Sequence, residues 1–227
     1  MKFKTKKIIL IFSIYSLLQF LLFTASAMLL YPGGTKSDHD TTGYDFLNNF
    51  FSDLGRTLTF NGEEKNASFY LFTSALISTG ISTIALFLLF PALFNIKQIS
   101  RKFSFGAAAG GVIAGFAYIG IALTPWDILL QPHLFFVRLA FTSFLFITVF
   151  SIGAIYTDPF YPKIYGAVFI VFGIILTGYL YLLFFGPKLD SAEGVYIQAT
   201  AQKIVVYSEI VCLLFQSFGA YRFINKE

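Results

Sequence analysis

Six long stretches of nearly uninterrupted apolar side chains leave this chain little choice of fold. The first runs from Ile8 to Leu30 without a charge. An α-helix rises 1.5 Å per residue, so about 20 residues cross the roughly 30 Å hydrocarbon core of a bilayer. Backbone polar groups in lipid must be satisfied within the spanning segment, and these stretches are too long for barrel strands, so they read as helices. The pattern predicts six spans, at about 8–30, 67–94, 104–124, 134–156, 163–186 and 198–221. Composition excludes an ordinary soluble domain: 56% of residues are hydrophobic and 12% charged, against about 25% charged in soluble domains. At 227 residues the chain suits one domain. The expected fold is an all-α, polytopic membrane bundle of six transmembrane helices.

The first span has a rival reading. MKFKTKK, an apolar stretch and the small-residue patch Thr24-Ala25-Ser26-Ala27 resemble a cleavable signal peptide. The apolar run exceeds the 7–15 residues usual in signals and continues through Met28-Leu29-Leu30, which favours a retained anchor. Lys and Arg placement sets orientation. Lys2, Lys4, Lys6 and Lys7 precede span 1, and Lys97, Arg101 and Lys102 separate spans 2 and 3. Lys163 follows span 4, and Arg222 and Lys226 follow span 6. The alternate loops hold Lys36, Arg56, Lys65 and Lys188, mixed with acids. Both termini are therefore expected in the cytoplasm, with loops 31–66, 125–133 and 187–197 on the extracytoplasmic side.

Span 3 carries GAAAGGVIAG, in which Gly106/Gly110 and Gly111/Gly115 have the small-xxx-small spacing that lets helices approach closely in lipid. This marks a central packing helix, with a homo-oligomer interface as the alternative use. Cys212 is the single cysteine, so no internal disulfide framework exists. His39 and His133 are the two histidines, and no HxxxH, CxxC or HExxH spacing occurs. No Gly-rich phosphate loop, GxSxG elbow or nucleic-acid signature is present either. No metal, cofactor or nucleic acid is expected.

Polar residues in so apolar a chain are the informative ones. In YDFLNNFFSDLG, Tyr44 to Gly55, Phe46, Leu47, Phe50, Phe51 and Leu54 recur at helical spacing, with Asp45, Asn48, Asn49, Ser52 and Asp53 on the other side. Three turns cannot span, so the segment is predicted as a short interfacial helix in the first extracytoplasmic loop, ended by Gly55. Asn49 and Asp53 are four residues apart and can share one face. Span 4 carries His133 at its mouth and Arg138 a turn inside; span 6 carries Lys203 and, deeper, Glu209. Ionisable groups inside spans are costly, about 2.5–3.5 kcal/mol on insertion scales, and usually face a partner or a wet cavity. Gln202, Glu209 and Gln216 recur every seven residues on one helix face. Asp127 sits beside Trp126, which reads as an interface anchor. Asn49, Ser52, Asp53, Arg56, Asp127, His133, Arg138, Lys203 and Glu209 thus converge on the extracytoplasmic half. They form either a structural network, in which Asp53, Asp127 or Glu209 neutralises Arg138 and Lys203, or a binding pocket.

NNFFSDLG at 48–55, TPWD at 124–127 and the following Pro132-His133 resemble a family of six-helix prokaryotic membrane proteins catalogued as domain of unknown function 998. More distantly, the Ser-Asp-x-Gly segment outside the first helix is similar to the DRAM and FRAG membrane families. The resemblance implies the six-helix layout and a prokaryotic plasma membrane, carries over Ser52, Asp53, Gly55 and His133, and supplies no activity. The expected function is recognition, or modification, of an outer-leaflet lipid headgroup: Arg138 and Lys203 hold an anionic phosphate, and Asp53, His133 or Glu209 acts as acid or base where there is chemistry. The alternatives are a small-solute or proton-coupled transporter, with Glu209 and Lys203 as a coupled pair, and a structural or assembly protein.

Overall fold

Each apolar stretch forms a helix: α1 (Phe3–Leu29), α2 (Ala67–Leu89), α3 (Ile99–Leu123), α4 (Leu130–Thr157), α5 (Ile164–Phe185) and α6 (Ala192–Ile224). The structure, a computed structural model, describes residues 2–64, 67–94 and 98–225; Lys65, Lys97 and Lys226, used above for orientation, lie outside the described residues. All six helices are long and apolar enough to cross a membrane. Several outrun the apolar windows that predicted them, because lipid demands apolar side chains and a helix does not. α6 starts at Ala192 rather than near 198: the Ser191 hydroxyl accepts the Gly194 N–H at 3.1 Å, and Glu193 lies in the first turn, where the helix dipole favours an acid. α2 ends early, at Leu89, and a 3-10 turn containing Pro91 (Phe90–Leu93) follows.

Each helix packs against its neighbours in sequence, and α6 returns to α1 to close a ring. The glycines of α3 set how tightly the ring closes. A Cβ on Gly115 would lie 2.5 Å from the Gly80 carbonyl oxygen of α2, and one on Gly111 would lie 2.2 Å from the Phe87 Cβ. On its other side, Gly106 and Gly120 seat the rings of Phe150 and Phe136 from α4. The small-residue stripe is occupied within the chain, between α2 and α4. The segments 30–64, 124–129 and 186–191 gather at one end of the bundle, the loop end; the start of α1 and the end of α6 lie at the other.

The interfacial helix expected over Tyr44–Gly55 is replaced by a turn at residues 46–48 and a 3-10 helix at Phe51–Gly55. The cause is side-chain competition for backbone groups. Asp45 Oδ1 accepts the N–H groups of Leu47 (2.9 Å) and Asn48 (3.2 Å), Asn49 Oδ1 accepts that of Asp45 (2.9 Å), and Asp53 Oδ2 reaches back to that of Phe50 (2.8 Å). These bonds satisfy the chain without an α-helical ladder. The outcome is a plug rather than a surface helix: Asn49, Phe51, Asp53 and Leu54 are buried, while Phe46 and Leu47 stay exposed. Phe51 wedges between Phe20 of α1 and Tyr207 of α6.

Candidate functional site

The centre of the plug is an Asn–Asp–Trp arrangement. Asn49 and Asp53, at 0% and 1% exposure, are joined by Asn49 Nδ2 donating to Asp53 Oδ2 at 3.0 Å. Asn49 Nδ2 also donates to the Gly34 carbonyl, and Trp126 Nε1 donates to Asp53 Oδ1 at 3.1 Å. Burial pushes the Asp53 carboxyl above the usual carboxylate range, and the Asn49 and Phe50 donors pull back part of that shift. Trp126, expected to anchor in the interface, is therefore turned inward. The Arg56 guanidinium sits 3.9 Å from the Phe60 ring centroid and 4.4 Å from that of Trp126, with Nε on the Leu58 carbonyl, which fixes it within the plug instead of leaving it free for headgroups.

Asp127 clamps the plug to the α3–α4 loop. Its carboxylate accepts the Thr57 N–H (3.0 Å), the Thr57 hydroxyl (2.6 Å) and the Leu58 N–H (3.0 Å). Burial raises this carboxyl, but the Thr57 and Leu58 donors outweigh it and hold the group below its ordinary value. A depressed carboxylate contributes stability that is present above the unfolded value and lost as pH falls through the folded one. Thermal unfolding in detergent should therefore show an acid limb below about pH 4. Asp127→Asn should lower the midpoint at neutral pH and flatten that limb; an unchanged pH profile would remove the clamp from the account.

Lys203, 2% exposed, donates to the Asn49 and Ala199 carbonyls, the second at 3.2 Å, and its ammonium lies 5.5 and 5.4 Å from the Tyr44 and Phe46 ring centroids. Beside it, Gln202 Oε1 accepts the Phe51 N–H at 2.9 Å. The polar stripe of α6 does turn inward, since Gln202, Glu209 and Gln216 are all buried. The expected pairing of Glu209 with Lys203 or Arg138 is not formed. Six residues place Glu209 about 9 Å farther along α6 and on a different side, where the Tyr118 hydroxyl donates to its Oε1. Arg138 is exposed and reaches towards α5, its Cζ 6.0 Å from the Phe184 ring centroid. No direct ion pair joins these cations to these carboxylates, so the neutralised network read from the sequence does not exist as direct pairs.

Two hollows remain. A cleft of about 370 Å³ opens at the loop end between α4, α5 and α6. Lys36, Arg138 and Lys188 line it with no carboxylate among the lining residues, while Leu130, Leu134 and Leu183 make it apolar and Gln198 and Gln202 add neutral polar groups. Behind it, within the ring, lies a cavity of about 50 Å³ bordered by Phe51, Tyr118 and Glu209. Ser52, His133, Val137 and Gln202 border both, forming a septum. His133 Nδ1 lies 2.7 Å from the Thr124 carbonyl; a carbonyl can only accept, so Nδ1 carries the hydrogen. No carboxylate reaches this ring nitrogen, so Ser52, His133 and Asp53 do not make a triad.

The sequence-read site thus divides. Ser52, His133 and Arg138 line the cleft, Glu209 faces the inner cavity, and Asn49, Asp53, Arg56, Asp127 and Lys203 hold the plug. Lys36 and Lys188 belong to the cleft; the sequence reading used them for orientation but not as site residues. Among the described residues no group of three His, Cys, Asp or Glu gathers as a metal site would require. No family model, no curated protein and no solved structure matches this chain, so function rests on the site itself.

Proposed function

We propose that this is an integral membrane protein, with both termini in the cytoplasm, that recognises an anionic lipid headgroup of the outer leaflet in the cleft between α4, α5 and α6. One observation carries the reading: three cations, Lys36, Arg138 and Lys188, share an apolar-walled cleft that no carboxylate enters. Like charges gathered without counter-charge repel one another, and an anion relieves that repulsion. The guanidinium can grip a phosphate with two parallel N–H bonds, and the two ammonium groups add point charge. Leu130, Leu134 and Leu183 then suit the upper acyl chains. Lys203, assigned to the headgroup on sequence grounds, is replaced in that role by Lys36 and Lys188, because its ammonium is spent on the plug. With no acid beside His133 and Asp53 occupied by three N–H donors, recognition is favoured over chemistry.

A basic group near an anionic surface contributes about 1 kcal/mol. Replacing Lys36, Arg138 and Lys188 together by glutamine should therefore weaken phosphatidylglycerol binding to the purified protein by roughly a hundredfold. Phosphatidylcholine should bind weakly before and after, and added salt should mimic the triple change. Glycerol phosphate binding as tightly as the lipid would instead identify a soluble anion as the ligand. Full phosphatidylglycerol affinity in the triple variant would refute the cleft.

A further inference from the structure

Behind the septum, Glu209 presents a second site that lipid recognition does not use. Its carboxyl is 1% exposed; Oε1 receives the Tyr118 hydroxyl, and Oε2 has no hydrogen-bond partner among the described residues. A buried polar atom left bare is costly and points to water or an ion that completes it. The adjoining cavity of about 50 Å³ exceeds the roughly 10–15 Å³ that one water requires, and it offers polar partners.

What Glu209 exchanges follows from what surrounds it. α1 contributes Phe20 to the cavity, α2 contributes Thr79, and the plug contributes Phe51 and Ser52, none of them charged. α3 contributes Tyr118 and α4 contributes His133, the two titratable neighbours from other helices. α6 itself adds Gln202, and α5 does not line the cavity; the thiol of Cys212, three residues beyond Glu209, feels its charge but lines a separate groove between α5 and α6. Lys203 turns away to the Asn49 carbonyl. Calcium takes six or more oxygens and magnesium an octahedron, which one carboxyl and a phenol do not supply. A proton needs one oxygen and a neighbouring water. Ionisable groups at such depth commonly mark proton pathways.

We propose that Glu209, hydrogen-bonded to Tyr118 beside a hydrated cavity, is a proton-exchanging site reached from the loop end through the septum of Ser52, His133 and Gln202. On uptake, an O–H bond forms at Oε2 as one breaks in a cavity hydronium, and the two opposite charges cancel; release reverses this. The site stands or falls independently of the lipid reading.

Infrared difference spectroscopy on protein reconstituted in vesicles tests it. Acidifying the compartment that faces the 30–64 segment should change a carboxyl C=O band that Glu209→Gln abolishes and Tyr118→Phe shifts in frequency. Acidifying the opposite compartment, with the membrane tight to protons, should leave the band unchanged. A spectrum without a Glu209-dependent band, or with one that follows the opposite compartment, overturns the proposal. Should Glu209→Gln not fold, Tyr118→Phe still decides: it keeps the ring, and a pH-dependent carboxyl band that it does not shift counts against the site.

Discussion

Asp53→Ala should lower the thermal midpoint in detergent more than any other single change in the 30–66 segment. The carboxylate accepts Asn49 Nδ2, the Phe50 N–H and Trp126 Nε1, and it is 1% exposed. Alanine leaves those donors facing a void. Each buried donor stripped of its partner costs about 1–3 kcal/mol. Asn49 keeps the Gly34 carbonyl and part of its loss is spared, and relief of the buried charge returns some free energy. A net loss of about 3–5 kcal/mol is expected. Asp53→Asn keeps the volume and one acceptor oxygen and should cost less. Trp126, the single tryptophan, reports on the same event: its emission should shift to the red as the indole loses its anchor. An unmoved midpoint with unmoved emission would mean that the plug does not depend on Asp53.

The helices were legible because a run such as Ile8–Leu30 is long and apolar enough to cross a bilayer, and a backbone suited to lipid has few solutions other than a helix. Their ends were not. Apolar windows mark where a helix can meet lipid, whereas Ser191 and Pro91 decide where helix begins and stops. The glycines of span 3 were legible as a packing surface; that Gly80 and Phe87 fill it from α2, and Phe150 from α4, was not.

The 44–55 segment shows why the site was read only in part. Phe50, Phe51 and Leu54 suit an amphipathic helix by spacing, but Asp45, Asn49 and Asp53 carry short acceptors that bind nearby N–H groups and break the helical ladder. Helical spacing nonetheless placed Asn49 against Asp53 correctly, since a tight turn also brings such residues together. The cleft was harder. Arg138 stood out because it interrupts an apolar span, whereas Lys36 and Lys188 sit in polar loops where a lysine costs nothing and counts towards orientation without pointing to a site. A surface site assembled from three distant segments leaves no spacing to read.

Lys203→Met separates the two roles that the sequence had merged. The ammonium donates to the Asn49 carbonyl from inside the fold and faces the rings of Tyr44 and Phe46, so it ties α6 to the plug. Methionine fills comparable space and supplies no donor. The Asn49 carbonyl retains only the Tyr44 hydroxyl at 3.2 Å, and Asp53 loses a nearby positive charge. Removing one member of a buried charged arrangement costs about 3–5 kcal/mol, tempered here by ending the burial of the ammonium itself. The midpoint should fall accordingly, and limited proteolysis should begin within residues 44–50, where the tie is cut. Arg138→Gln should behave in the opposite way. Arg138 is exposed and belongs to the cleft, so its loss should shift stability by less than about 0.5 kcal/mol while weakening phosphatidylglycerol binding. If Arg138 governed stability and Lys203 governed lipid affinity, the division into plug and cleft would have to be reversed.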